Sequence, residues 1–83
     1  MYEVIHDAAE NVFYTEVDGY TAYVKYKIRG GALNIMHTVV PDPISGRGVA
    51  SRLVAATYAY ADEQGLRREA VCPYAELWLK RHE

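Results

Sequence analysis

Hydrophobic and polar positions alternate most clearly between residues 20 and 29. Side chains of a strand point alternately to the two faces of a sheet, so this period of two predicts a strand with one buried and one solvated face. A shorter run at residues 12–17 predicts another strand, which Asp18-Gly19 ends as a turn. The longer strand is predicted to bury Ala22, Val24, Tyr26 and Ile28 and to expose Tyr23, Lys25 and Lys27.

Gly30-Gly31 predicts a two-residue hairpin turn into a third strand over residues 32–40. The side chains expected on one face are Leu33, Ile35, His37 and Val39, and those on the other are Met36, Thr38 and Val40. Because both faces are largely apolar, this strand is predicted to lie inside the sheet. Prolines at positions 41 and 43 then end it, since proline donates no ladder hydrogen bond.

The second half of the chain changes to helical periodicity. Apolar residues at helical spacing predict a helix over residues 48–64, with Gly65 as its left-handed C-cap. A short strand over residues 66–72 and a last helix over residues 74–81 follow, while residues 1–11 are expected to be irregular. The order β-β-β-α-β-α predicts an α+β domain with a mixed sheet, in which the helical crossover makes its two flanking strands parallel.

Composition limits the class of protein. The 83 residues make one small domain, and a net charge of -2 gives no basic field that would favour a nucleic-acid partner. No apolar run is long enough to cross a bilayer and the N-terminus does not resemble a signal peptide, so we expect no membrane partner. A single cysteine excludes an internal disulfide and fits a reducing compartment, so we expect a cytoplasmic protein.

The stretch between the third strand and the first helix is the best candidate for ligand binding. Gly46-Arg47-Gly48 opens the helix after a turn, and the first N–H groups of a helix have no intrahelical partner. Together with the helix dipole, these groups favour a phosphate or another anion, and glycine allows the backbone to approach it closely. Arg47 adds a cation whose planar fork suits phosphate oxygens.

Three segments in matching order resemble the small single-domain members of the GNAT superfamily, the acetyltransferases. They are Ile35–Pro41 (IMHTVVP), Gly46–Ala50 (GRGVA) and Val71–Tyr74 (VCPY), and the resemblance covers about residues 12–82. It implies a minimal GNAT core without N-terminal helices, as one domain over residues 1–83. The superfamily loop follows Gln/Arg-x-x-Gly-x-Gly/Ala. Gly48 and Ala50 match its small positions, whereas Ser45 replaces the usual Gln or Arg.

The resemblance implies acetyl-coenzyme A as co-substrate, with its pyrophosphate in the loop. In the superfamily the strands equivalent to residues 32–40 and 66–72 splay apart, beside a β-bulge, and the pantetheine arm fills the gap. The implied cofactor-binding residues are Thr38, Val39 and Val40 on the strand and Ser45, Gly46, Arg47, Gly48, Val49, Ala50 and Ser51 in the loop. No metal site is expected, because the sequence has no zinc or calcium ligand spacing.

The resemblance also points to catalytic residues at the acetyl end of the gap. Cys72 is expected to act as a nucleophile that exchanges one thioester for another, or to be an inert buried residue. His37 is expected to approach it and to deprotonate the thiol or an incoming amine, or to be a core histidine. Tyr74 is a candidate proton donor to the leaving thiolate, or a packing residue of the last helix.

The sequence therefore predicts a small acetyl-CoA-dependent N-acetyltransferase, acting on an unidentified amine or protein directly or through Cys72. Two alternatives remain open: a module that binds coenzyme A without efficient turnover, and an interaction domain with a vestigial loop. The protein is expected to be a monomer or a weak homodimer, in which residues 12–17 form an edge strand available to a second copy.

Overall fold

The computed structural model describes residues 3–82, which form a five-stranded sheet and two α-helices. The strands are β1 (Ile5–Asp7), β2 (Val12–Val17), β3 (Tyr20–Arg29), β4 (Ala32–Val39) and β5 (Arg67–Ala70). The helices are α1 (Val49–Glu63) and α2 (Pro73–Arg81), and a 3-10 turn covers Asp42–Ile44. The strands lie in the order β1-β2-β3-β4-β5, with only β4 and β5 parallel among the described residues. The predicted α+β class, mixed sheet and parallel pair are confirmed.

One strand was not predicted. Residues 5–7 form β1, which pairs antiparallel with β2, although the sequence pattern indicated an irregular start over residues 1–11. Residues 1 and 2 of that range lie outside the described residues. Three residues are too few to show an alternating pattern, and this strand is held by a tertiary contact of His6. Because β1 covers β2, the prediction that residues 12–17 form a free edge is wrong.

The turns and helix ends follow the predicted chemistry closely. Gly30 and Gly31 both have positive φ, 59° and 77°, as the tight hairpin between β3 and β4 requires. Helix α1 has Gly48 as N-cap and Gln64 as C-cap, and Gly65 follows it with φ 69°. Pro73 occupies the first position of α2, where its missing N–H costs no hydrogen bond. Strand β5 is shorter than the predicted 66–72, because the chain turns toward α2 after Ala70.

The core lies between one face of the sheet and the two helices. Helix α1 packs across strands β2 to β5, and α2 packs against β4, β5 and α1. The buried side chains alternate along β2 and β3 and recur at helical spacing on α1. The core cluster contains Phe13, Ala22, Val24, Tyr26, Leu33, Ile35, Ile44, Val49, Leu53, Val54, Tyr58, Ala61, Cys72 and Ala75. Ile28, predicted to be buried, is exposed because it lies at the hairpin end of the sheet.

A β-bulge reverses the facing of the second half of β4. Tyr26 pairs with Ile35, and Lys25, the residue before Tyr26 on β3, pairs with His37. Met36 is therefore an extra residue on β4 with no partner on β3. From His37 onward the alternation is therefore shifted by one residue. His37 and Val39 are exposed instead of sharing the buried face of Leu33 and Ile35, and that part of the face prediction is wrong.

No helix within residues 3–82 combines the length and apolar character needed to cross a bilayer.

Candidate functional site

Strands β4 and β5 part at one end and leave a wedge-shaped gap. Their parallel register ends with Ile35 opposite Ala70, whereas β4 continues to Val39. The Ile35 carbonyl accepts hydrogen bonds from the N–H groups of both Val71 and Cys72, at 3.1 and 3.2 Å. After this point the chain bends into α2, so residues 36–39 have no partner residue on β5. The gap therefore opens at the β4 bulge, as the sequence resemblance implied.

A backbone cradle lies at the outer end of this gap, formed by residues 45–51. Gly46 and Gly48 have φ of 76° and 78°, and nothing lies within 4 Å of the position that a Cβ would take at either residue. Helix α1 begins here without a side-chain cap. The N–H groups of its first turn thus have no intrahelical acceptor, and the helix dipole makes this end positive.

The cradle opens into a groove of about 240 Å³. Val40 and Tyr74 form its walls on the strand side and the α2 side, and the loop forms the rest. The lining residues are Val40, Ser45, Gly46, Gly48, Val49, Ala50, Ser51 and Tyr74, none of which carries a carboxylate. An open, positively polarised glycine cradle of this kind fits a pyrophosphate group.

Two loop side chains behave differently from the sequence expectation. Ser45 donates its hydroxyl to the carbonyl of Asp42 at 2.8 Å and so stabilises the 3-10 turn before the loop. Arg47 forms an ion pair with Asp18, with 2.6 Å between Nη1 and Oδ2, and both side chains are more than half exposed. The guanidinium is therefore shared with the β2–β3 turn instead of being directed solely at a ligand. An exposed pair of this kind is weak and can open.

Cys72 lies at the inner end of the gap, directly before α2. Its side chain is 7% exposed, and its Sγ lies 3.4 Å from the Thr38 hydroxyl of β4. Burial raises the pKa of the thiol, but hydrogen bonds from Thr38 and from the N–H groups of Ala75 and Tyr74 together lower it by more. The pKa of Cys72 therefore lies below its usual value of 9.0. The start of α2 thus stabilises a thiolate, which is the reactive form of cysteine.

His37 and Cys72 do not face each other. Cross-strand neighbours share a sheet face, and Thr38 pairs with the buried Val24, whereas His37 pairs with Lys25 on the opposite face. The described contacts of Cys72 include Thr38 but no histidine. The predicted approach of the His37 ring to the thiol is therefore wrong, because the bulge places His37 on the solvent face of the sheet.

The contact between Thr38 and Cys72 was missed by sequence reasoning, which assigned Thr38 only to cofactor binding. The two residues are 34 positions apart, and the bulge that brings them to one face has no sequence pattern of its own. Ser51 provides a second contact of this kind, because its hydroxyl accepts a hydrogen bond from the Trp78 indole at 3.2 Å. Within residues 3–82, no group of three or more metal-ligating side chains is present.

Comparison with known proteins agrees with this geometry. The family described as GCN5-related N-acetyl-transferase matches residues 12–83. The chain is 30% identical to Protein NATD1 of Bos taurus over 82 residues, covering 95% of this chain and 73% of the relative. It is 29% identical to Protein NATD1 of Homo sapiens, with coverages of 95% and 73%. The NMR solution structure of a GCN5-like protein from Staphylococcus aureus superposes with a TM-score of 0.76 and 31% identity, over 96% of this chain and 79% of that one.

Proposed function

Because this chain belongs to the GCN5-related N-acetyltransferase family, we propose that it transfers an acetyl group from acetyl-CoA to an amine. The observation that carries the proposal is the edge of β4 that β5 leaves without a partner, with suitable chemistry near each of its ends. A glycine cradle at the start of α1 forms one end, and the Cys72 thiol at the start of α2 forms the other. The unpaired edge of β4, residues 36–39, runs between them.

Each part of the cleft has a proposed binding role. The N–H groups of residues 46–51 bind the pyrophosphate, and Arg47 adds charge once its ion pair with Asp18 opens. The backbone of Thr38, Val39 and Val40 binds the amides of the pantetheine arm, since strand edges pair readily with an extended chain. Ser45 contributes by holding the turn that precedes the cradle.

Two routes of transfer are compatible with the acetyl end. In the first, the Cys72 thiolate attacks the thioester carbonyl, a new C–S bond forms, and the coenzyme leaves as its thiolate. The amine then attacks the acetylated Cys72, forms the amide and returns the cysteine sulfur as a thiolate. In the second, the amine attacks the thioester directly. Acetyl-CoA supplies an activated acyl group in both routes, and Tyr74 at the mouth of the groove protonates the leaving thiolate.

His37 keeps a proposed role on the other side of the sheet. It is exposed next to the gap, on the face opposite Cys72, where an acceptor amine has access from solvent. The imidazole of His37 accepts the proton that the amine loses on acylation. This role predicts that His37→Ala slows transfer to an amine and leaves acetylation of Cys72 unchanged.

One observation favours the binding module as a second candidate. The Cys72 thiol is almost fully buried, and none of its described contacts is a side chain that could act as a base. A protein that retains acetyl-CoA but transfers slowly would have this arrangement. The two candidates differ in turnover and not in binding, so one experiment with two readouts separates them.

The experiment is mass spectrometry of the intact protein after incubation with acetyl-CoA. Native conditions report the non-covalent complex, and denaturing conditions report a covalent acetyl group. An adduct that disappears in Cys72→Ala supports the route through cysteine. A complex without adduct, together with acetylation of an added amine, supports direct transfer. A complex with neither product supports the binding module. The absence of a complex for the folded wild type would contradict both candidates.

A further inference from the structure

The sheet face opposite the two helices carries a row of apolar and aromatic side chains. Both helices pack on the core face, so within residues 3–82 no helix covers this second face, which we call the open face. Cross-strand partners share a face, and four partners in register form the row: Ile5, Tyr14, Tyr23 and Val39. Its two outer members, Ile5 and Val39, are 41% and 40% exposed although both are apolar. The row therefore crosses the open face from β1 to β4.

One end of the row lies at the gap between β4 and β5. Val39 belongs to the part of β4 that has no partner on β5. His37 lies two residues before Val39 and shares its face, because side chains alternate along a strand. A chain that follows the row thus brings one of its groups to His37, where the acceptor amine is proposed to lose its proton.

The other end of the row opens into an acidic groove. This groove has a volume of about 370 Å³ and is lined by Glu3, Ile5, Tyr14 and Glu16, with no basic side chain. The Glu3 carbonyl accepts a hydrogen bond from the buried Thr15 hydroxyl at 2.5 Å, which holds residue 3 against β2. Neither carboxylate belongs to an ion pair within residues 3–82. The groove therefore attracts a cation that this part of the chain does not supply.

Lys25 is on the open face but is directed elsewhere. It pairs with Val12 on β2, whereas Glu16 pairs with Thr21, so the two charges are about 13 Å apart along the strand. The Lys25 ammonium donates to the Glu10 carbonyl in the turn between β1 and β2. The negative charge of the groove is thus left for a partner.

From this arrangement we infer that the open face docks the acceptor as an extended peptide. A basic side chain of the peptide occupies the Glu3–Glu16 groove, its backbone crosses the two tyrosines, and its reactive amine lies beside His37. Tyrosine provides a large, rigid contact area and is enriched at protein interfaces. Strands lie about 4.8 Å apart, so the row spans about 14 Å, which an extended peptide covers with about four residues. The inference rests on the proposed function and makes the groove a specificity site for a positive charge at that distance from the amine.

The test uses two peptides of identical composition and with blocked ends, in which a lysine is the single amine. In the spaced peptide an arginine lies about four residues away on each side of the lysine, and in the adjacent peptide the arginines flank it directly. Fluorescence anisotropy of the labelled peptides measures affinity without any turnover. We expect the wild type to bind the spaced peptide about fivefold more tightly, the value of one exposed charge pair.

The variants remove one end of the docking surface at a time. Glu3→Gln combined with Glu16→Gln is expected to give equal affinity for the two peptides, because the groove loses its charge. Glu63→Gln, at the exposed end of α1, is the matched control and keeps the preference. Tyr23→Thr shortens the apolar row and is expected to weaken binding of the spaced peptide. Circular dichroism verifies that each variant is folded.

The outcomes separate the docking surface from the proposed function. Equal affinity of the wild type for the two peptides would overturn the inference, as would a preference that survives in the Glu3 and Glu16 double variant. A homodimer in sedimentation velocity, with neither peptide bound, would overturn it and assign the open face to a second copy. Mass spectrometry follows acetylation of the lysine in both peptides. Acetylation without any binding preference would contradict only the docking surface, and a preference without acetylation would contradict only the proposed function.

Discussion

Two residues at opposite ends of the described chain, His6 and Cys72, both have a lowered pKa, but for opposite reasons. His6 of β1 lies among aromatic rings: it stacks on Phe13 at 4.0 Å and contacts the edge of Tyr60 at 4.4 Å. Its Nε2 is hydrogen-bonded to the Tyr26 hydroxyl at 2.6 Å. Burial lowers the pKa of His6 below 6.5, and the nearby carboxylate of Asp7 only partly opposes this.

Around Cys72, burial acts against the lowering of the pKa that the surrounding hydrogen-bond donors produce. Desolvation raises the pKa of Cys72, and donors directed at the sulfur lower it by more. The aromatic rings around His6 therefore disfavour its charged imidazolium form, while the donors at the start of α2 favour the charged thiolate form of Cys72. The comparison shows that burial alone yields a neutral structural side chain. An array of backbone and hydroxyl donors around a buried atom is needed to yield a reactive anion.

The largest effect is expected from removing the ring on which His6 stacks. Phe13→Ala empties a site in the core and is expected to destabilise the protein by about 3 kcal/mol. Phe13→Leu retains most of the packing and is expected to cost about 1 kcal/mol. Urea denaturation measures both losses, and NMR titration follows His6. The His6 pKa is expected to rise toward 6.5 as solvent enters, and an unchanged pKa in the folded Leu variant would contradict the role of burial.

The next effect concerns the thiolate. Thr38→Val removes a donor to Cys72 while preserving size, so the pKa of the thiol is expected to rise. Alkylation by iodoacetamide near neutral pH is then expected to slow about tenfold, the value of one hydrogen bond to a charged group. The single cysteine makes the rate unambiguous. Thr21→Val, on an exposed position of β3, is the matched control and is expected to leave the rate unchanged. Equal rates for both variants would contradict the assignment.

A smaller effect is expected in the pH dependence of stability. Because the folded-state pKa of His6 lies below its unfolded value, its contribution is fully present above pH 6.5 and is lost as the pH falls through the folded pKa. The melting temperature is therefore expected to fall on mild acidification. His6→Gln flattens this dependence, whereas His37→Gln, on the exposed face, retains it. An acid slope unchanged in His6→Gln would show that other groups cause it.

The smallest effect is expected at the ion pair between Asp18 and Arg47. Both side chains are exposed, so this pair shows how weak an interaction is in solvent compared with those of the less exposed His6 and Cys72. Asp18→Asn is expected to change the free energy of unfolding by less than about 1 kcal/mol. It frees Arg47 for the cradle, and affinity for inorganic pyrophosphate is expected to rise by up to about fivefold. Asp62→Asn, which removes a similar exposed pair with Arg68, is the control. A weaker affinity in Asp18→Asn would contradict competition for Arg47.

Local chemistry accounts for the parts of the molecule that the sequence predicted. The alternation in β2 and β3, the hairpin glycines and the Gly48 and Gly65 helix ends all depend on residues close together in the chain. Their backbone preferences hold in almost any context. The helical crossover then required β4 and β5 to be parallel. Of the candidate site, the cradle was predictable because its glycines and its helix start are contiguous.

Tertiary structure decided the remaining features. Strand β1 forms because His6 finds an aromatic pocket supplied by β2, β3 and α1, and a three-residue strand has no pattern of its own. The bulge at Met36 turned His37 to solvent and Thr38 toward Cys72, which reversed the expected partnership. A one-residue register shift exchanges the faces of a strand, and only pairing across the sheet determines where it occurs. The sequence by itself thus determined four of the five strands, both helices and the position of the glycine cradle, and the packing determined which side chain meets the thiol.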